Sequence, residues 1–510
     1  MTQSTGSRGR EGRRYDVLLI GSGLASLTAA ALLAESGRKV CLLEACEVAG
    51  GSVDSLPMGV SVWGCAPGEK FHSFLKKLDL QDEILFDPLE SDGYDHVILP
   101  DRRRVKIPYG FDQLADNIEA AYPGQGPAVR RFTAILDRLT REVAQLPHKM
   151  GWWQALTQGY KFTTLLRYHR ATLQQVLDEC RVSPEAQAVL VANSGNYMGS
   201  PDELSILAYN GLFSGYNRGA YYPRKPFRHM TDRLVEFITS RAGCHIYYHS
   251  EVTQVQTSGE YVDQVVTRDG RRFTAPTLIC NGDPRKMMET IGRHKFPYSY
   301  LQPLQDDCSL TAVTCYLGIG GIDLRDYGFG RHNTWHLEQW DMNRTWDEAM
   351  GGDWSRPWMY MATPTLQTDE PGTQMLELAT AANYDFFYGL KQLNAGDYRR
   401  KKMEVENRLI DLVEAHYVPN LRKHIKLHLT GSPSTREARG PAYGRLKSRT
   451  PWQNFFWCSA TNGYPGVNGT VGTGMQLYME LTGDHFWNPA QAPESNSLAG
   501  SLRQISLSTA

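Results

Sequence analysis

Residues 15–44 constrain the fold of this chain more than any other stretch. Tyr15-Asp16-Val17-Leu18-Leu19-Ile20 reads as a strand buried in a parallel sheet. Gly21-Ser22-Gly23-Leu24-Ala25-Ser26 follows, a GxGxxG pattern with Ser in the last place. Gly21 permits a tight turn, and Gly23, lacking a Cβ, lets a pyrophosphate approach the backbone. The small Ser26 lets helix and strand pack closely. Residues 27–36 read as a helix closed by Gly37, and 39–44 as a second strand ending in Glu44. The helix start offers free N–H groups and a partial positive charge to phosphates. Glu44 is spaced to bind a ribose 2′-OH, and its carboxylate disfavours NADP, leaving FAD or NAD.

A competing reading is considered and set aside. Residues 17–34 carry no charge and follow Arg8, Arg10, Arg13 and Arg14, as in a signal peptide or a membrane span. Asp16 sits between the arginines and the apolar run, and Gly21 and Gly23 break that run, so strand, turn and helix fit better.

Two further glycine-rich loops point to FAD. Gly50-Gly51-Ser52 closely follows Glu44, and residues 463–474 carry five glycines in twelve positions before a helix at 471–481. Such a loop at a helix start can aim backbone N–H groups at a flavin ring or diphosphate.

Composition excludes other classes. Acidic and basic residues number 55 and 54, so bulk charge does not suit a nucleic-acid partner. Hydrophobic residues make up 41% of the chain, enough for a sizeable core. Nine cysteines without a CxxC read as reduced thiols in a cytoplasmic protein. No HExxH occurs, and His245 and His249 lie in a strand-like run, so no metal site is expected.

Helices are expected over 112–146, 173–180, 230–241 and near 398–415. Strands are expected at 245–249, 251–256, 262–268, 272–275, 278–280 and 454–459, with Asp269-Gly270 as a hairpin turn.

The motifs GSGLAS, LLEA, DGYDHVILPD (92–101), VKIPYG (105–110), GAYYPR (219–224), LICNGDP (278–284), CYLGI (315–319), GPAYG (440–444) and PGVNGTVGTG (465–474) occur in this order. Together they resemble the FAD-dependent family of phytoene desaturases, carotenoid isomerases and retinol saturases, within the flavin amine-oxidase-like superfamily. The resemblance covers most of 15–485 and implies an α/β fold. In it, a Rossmann-type FAD-binding domain of the glutathione-reductase type is interleaved with a mixed α+β substrate domain. It implies FAD-binding pieces at 15–89, 231–292 and 436–487, and a substrate domain at 90–230 and 293–435. Residues 1–14 are expected to be a disordered arm and 488–510 a flexible tail. The cofactor-binding residues implied are Gly21, Gly23, Leu24, Ala25, Ser26, Glu44, Gly51, Ser52, Val252, Asp283, Gly466, Val467 and Thr473. Val252 would meet adenine through its backbone.

The implied activity is desaturation, saturation or isomerisation of carbon–carbon bonds in an apolar, polyene-like substrate. Candidate proton donors are Tyr197, Tyr221, Tyr222 and His229, with no catalytic residue assigned and no electron partner legible. One loop departs from the family: Arg224-Lys225-Pro226-Phe227-Arg228-His229 stands where a Gly-Gly turn is usual. Its three cations could recognise a carboxylate, which keeps open an FAD-dependent amine or amino-acid oxidase. A non-enzymatic lipid carrier of the GDP-dissociation-inhibitor type is the remaining alternative. Residues 152–168 mix aromatics, leucines and cations, and are a candidate for peripheral membrane contact.

Overall fold

The computed structural model describes residues 15–51, 59, 61–145, 159–197, 199–301, 310–368, 372–433, 446–462 and 466–487. The chain divides into two compact units, each assembled from separate segments. Both the arm 1–14 and the tail 488–510 lie outside the described residues, as does Ser52.

The first unit draws on 1–55, 228–306 and 442–484. Its centre is a five-stranded parallel sheet in the order Phe455–Trp457, Thr277–Cys280, Val17–Ile20, Val40–Leu43, His245–Tyr247. The strands Val17–Ile20 and Val40–Leu43 are buried throughout, as expected of parallel strands covered on both faces. The helix Leu24–Glu35 is nearly all Ala and Leu, and all its residues but Glu35 are buried. A helix apolar all round belongs in a core. It packs against the helix Gly466–Thr482, where a Cβ on Gly474 would stand 2.5 Å from the Ala25 carbonyl oxygen. A three-stranded antiparallel sheet, Val252–Ser258, Tyr261–Thr267 and Arg272–Phe273, completes the unit. Gly270 turns its last hairpin at φ 82°.

The second unit draws on 56–227, 307–441 and 485–510. Its seven-stranded mixed sheet runs Ile425–Gly431, Leu310–Ile319, Gln374–Asn383, Met359–Ala362, Asn333–His336, Asp95–Ile98, Arg104–Ile107. Side chains alternate across the pleat. One face carries Cys315, Leu317, Leu376, Leu378, Met359 and Met361 into a core shared with Leu409, Leu412 and Val413 of the helix Ala395–His416. By the same register, Tyr316, Glu377, Ala362, Tyr360, Trp335, Asn333 and Asp95 lie on the other face. A small sheet joins Val62–Trp63, Ala220–Pro223 and Phe86–Pro88.

The structure departs from the sequence reading in several places. Residues 56–89 pack with the second unit and 293–306 with the first, so the division falls elsewhere than expected. The first helix starts at Leu24, three residues early, because Leu27 N–H already bonds the Gly23 carbonyl at 3.0 Å. The C-terminal helix begins at Gly466, which has φ 76°, so Gly469, Gly472 and Gly474 lie inside the helix rather than in a turn. Gly474 explains part of that: the two helices meet where a side chain would not fit. The helix Phe227–Ser240 also starts early and takes Phe227, Arg228 and His229 out of the presumed loop.

Candidate functional site

The first unit presents a nucleotide cradle. Gly21 has φ 88°, which a side chain would strain, and its N–H bonds the Leu43 carbonyl at 2.8 Å. The Gly23 amide ends the turn, and the helix Leu24–Glu35 has no side-chain cap and no acid in its first turn. The first-turn amides of Ala25 and Ser26 therefore remain available to an anion. Gly50 and Gly51, at φ 111° and 63°, fold back on this turn, with Gly50 N–H bonding the Ser22 carbonyl at 3.1 Å. A Cβ on Gly51 would reach 3.5 Å from Gly23 Cα.

Packing also requires Gly23, which the motif did not reveal. A Cβ there would fall 2.2 Å from Asn281 Oδ1, so a neighbouring strand's side chain also demands the glycine. The Asn281 amide is itself held by donation to the Cys458 carbonyl.

Glu44 ends its strand nearly buried, 8% exposed. Its Oε2 accepts from Ser22 N–H at 2.8 Å and from the Ser22 hydroxyl, and Oε1 accepts from Cys46 N–H at 2.8 Å. A carboxylate offers about four acceptor sites. Three are used to aim it, and one is left for a ribose hydroxyl. Asp283 caps the helix Pro284–Ile291, accepting from Arg285 N–H at 2.9 Å. Val252 opens the strand Val252–Ser258 and is half-buried. Val467 and Thr473 are buried within the helix begun by Gly466. The donor and glycine set thus fits a dinucleotide such as FAD.

The proton-donor candidates are dispersed. Tyr197 donates to the Tyr209 carbonyl at 2.6 Å, a structural bond. Tyr221 and Tyr222 are consecutive in a strand and so face opposite ways. Burial raises both hydroxyl pKa values. His229 sits in the first turn of its helix, in the other unit.

Of these, Tyr222 has chemically interesting company, and sequence reasoning missed its centre. Glu377, 6% exposed, is a lone acid in the apolar strand Gln374–Asn383. Its Oε2 accepts from Gly59 N–H at 2.6 Å. Burial, only partly offset by the bonds from Gly59 and Tyr316, pushes its pKa from 4.5 to about 7. The Glu377 carboxyl and Tyr316 add to the effect of burial on Tyr222. Tyr360 donates to the Gly59 carbonyl and lies 3.1 Å from Asn333 Oδ1. Asn333 in turn donates to Asp95 at 3.0 Å, and burial lifts Asp95 to about 6. This face therefore holds two acids poised near neutrality and joined through the Gly59 backbone, the Tyr360 hydroxyl and the Asn333 amide. The signal in sequence was slight: one Glu in QMLELATAAN and one Asp opening DHVI.

The basic segment does not present free charge as supposed. Arg224 forks onto Asp87 with bonds of 3.0 and 2.6 Å, and Arg331 approaches the same carboxylate at 3.5 Å. Arg228 pairs with Asp232 one turn along its helix at 2.8 Å. Lys225 is exposed. Chain carboxylates thus already engage two of the three cations considered for a substrate carboxylate.

Of residues 152–168, those from 159 are described. The short helix Thr163–Tyr168 leaves Leu166 60% exposed, while Arg167 pairs with Glu179. Among the described residues no helix is long and apolar enough to cross a membrane.

Comparison with known proteins gives a consistent assignment. The family model described as flavin containing amine oxidoreductase matches residues 24–306. The all-trans-retinol 13,14-reductase of Danio rerio is 22% identical over 486 residues, covering 84% of this chain and 77% of that protein. The chloroplastic prolycopene isomerase 1 of an Oncidium hybrid cultivar is 21% identical over 86% of this chain and 77% of its own. Among solved structures, putrescine oxidase bound to putrescine superposes with a TM-score of 0.61 at 16% identity, covering 92% of this chain and 99% of that one.

Proposed function

The chain belongs to the flavin containing amine oxidoreductase family, and on that premise we propose that it alters carbon–carbon double bonds in an apolar polyene. FAD is the cofactor, and when bound its isoalloxazine accepts or delivers hydride. In this reading, Gly21, Gly23, Leu24, Ala25, Ser26 and Gly51 hold the pyrophosphate, and Glu44 the ribose. Val252, Asp283, Gly466, Val467 and Thr473 complete the cradle.

Support for the substrate class comes from the relatives named for retinol and prolycopene. In this chain the observation that carries the reading is Glu377. A buried acid with a pKa near 7 is largely protonated in mildly acid water and about half protonated at neutrality. It can hold a proton and deliver it to a carbon, while Gly59 N–H and Tyr316 keep the carboxyl in place. None of the groups acting on its pKa is a cation, so nothing among them would pair with a substrate carboxylate. An amine or amino-acid oxidase is the second reading, and the engagement of Arg224 by Asp87 counts against a carboxylate-binding version.

Purified protein supplied with FAD should bleach or shift the absorbance of all-trans-retinol or a carotenoid under anaerobic, reduced or oxidised conditions. Hydrogen peroxide release with diamines or amino acids, and no change in any polyene, would select the second reading. The segment 152–168 is proposed as a peripheral membrane contact of an otherwise cytoplasmic enzyme; the eight described cysteines are all free thiols.

A further inference from the structure

No metal-ligand motif is legible in the sequence, yet the second unit brings Glu90, His96 and His332 together. Parallel pairing sets Asn333 opposite Asp95 and Thr334 opposite His96. His96 and His332 therefore fall on the same face, the one turned away from Asp95 and Asn333. Their imidazole rings stack with centroids 3.6 Å apart. His332 Nδ1 is 2.9 Å from Glu90 Oε1, and His96 Nε2 is 3.9 Å from Glu90 Oε2.

The two histidines are 3% and 6% exposed. Among the described residues, neither ring nitrogen of His96 has a hydrogen-bond partner, and neither does Nε2 of His332. Leaving buried polar atoms unpaired is costly, so native structures seldom do so without a reason. The surroundings are built to hold the carboxylate there. A Cβ on Gly330 would fall 2.7 Å from Glu90 Oε1. The backbone bonds Glu90 N–H to Arg331 O and Asn333 N–H to Tyr94 O, both 3.0 Å, lock the two segments together.

We propose that Glu90, His96 and His332 form a site for one divalent transition-metal ion, best matched by zinc. Two imidazoles and one carboxylate are the donor set zinc accepts, with water as the fourth ligand. The candidate donor atoms lie within 4.8 Å of one another. A tetrahedral zinc with bonds of about 2.1 Å sets its donors about 3.4 Å apart, so the two rings would turn out of their stack to converge on it. Entry is from the Glu90 side, where that side chain is 35% exposed. The ion would clip the strand Asp95–Ile98 to the segment entering Asn333–His336, joining parts of the chain distant in sequence.

A second trio, His336, Glu338 and His416, makes a control. There Glu338 is already taken by His336 at 2.9 Å, Arg102 at 3.1 Å and Arg408 at 3.6 Å. Two arginines against one carboxylate leave no charge for a cation.

The test uses full-length, flavin-loaded protein, stripped with chelator and titrated with Zn²⁺ alone against a chromophoric competitor, then with Co²⁺ alone. The expected result is one tight equivalent of zinc, a visible cobalt band, and a higher melting temperature with metal. Glu90→Gln, at a partly exposed side chain, should weaken zinc at least tenfold, and His332→Asn should abolish the tight equivalent. Glu338→Gln should bind as the parent does. A cooperative metal-free melt and far-ultraviolet circular dichroism, unchanged in all three, report that they are folded. No stoichiometric binding would overturn the proposal. So would binding of parental strength in Glu90→Gln and His332→Asn, or loss in Glu338→Gln in their place.

Discussion

Gly59 N–H donates to Glu377 Oε2 at 2.6 Å, and a Cβ on Gly59 would stand 2.3 Å from the Ala362 Cβ and 2.8 Å from that same oxygen. The acid is thus seated by a backbone group that no side chain can replace. Gly59→Ala should push the segment off the sheet and cost about 1–3 kcal/mol by overpacking. Polyene turnover should fall by at least tenfold while flavin content stays close to parental. Flavin stoichiometry and initial rates measured on the same preparation check this.

Glu377 also makes stability depend on pH in a stated direction. Its folded pKa is about 7 against an ordinary 4.5, so between these values the folded state binds more protons than the unfolded. Stability from this group is fully present below about 4.5 and is lost as pH rises through about 7. Asp95, lifted from 3.8 to about 6, acts in the same sense over its own window. Glu377→Gln should melt within about 2 °C of the parent at pH 5, and gain on it by several degrees at pH 8. Parallel melting curves across that range would show that the carboxyl is not held neutral.

The cradle makes a separate prediction. Gly23→Ala places a Cβ 2.2 Å from Asn281 Oδ1 as well as in the path of a pyrophosphate. FAD content should fall by at least tenfold. Adding Asn281→Ala should relieve the packing clash and restore melting temperature, but not FAD binding. Restoration of both would mean that Gly23 serves packing alone.

Arg224 tests the amine-oxidase alternative. Its side chain is bound to Asp87 and partly exposed, so Arg224→Ala should cost on the order of 1 kcal/mol. It should leave the preference among neutral and acidic polyene analogues unchanged. A selective rise in KM for carboxylate-bearing substrates would return this arginine to substrate binding.

How much was legible in the sequence depends on how local the signal is. The turn at Gly21 and Gly23 and the strand end at Glu44 were readable because both lie within one βαβ unit. Gly474 was read as part of a turn because its need arises from Ala25 and Thr28, far away in sequence. The loop at 224–228 looked free because Asp87, which holds Arg224, is itself remote. Glu377 was invisible for the same reason: one acid in an apolar strand acquires its meaning only when Gly59, Tyr316 and Tyr222 surround it. Pairing across a sheet decides such contacts, and no periodicity records which strands will pair.

The most direct test of the central claim is the absorbance of purified protein before and after anaerobic addition of all-trans-retinol or a carotenoid. The account predicts about one FAD per chain, and a polyene band that shifts only when FAD is present, with Glu377→Gln slowed by at least tenfold. A colourless protein that FAD does not reconstitute, or a flavoprotein that releases peroxide from amines and leaves every polyene unchanged, would contradict it.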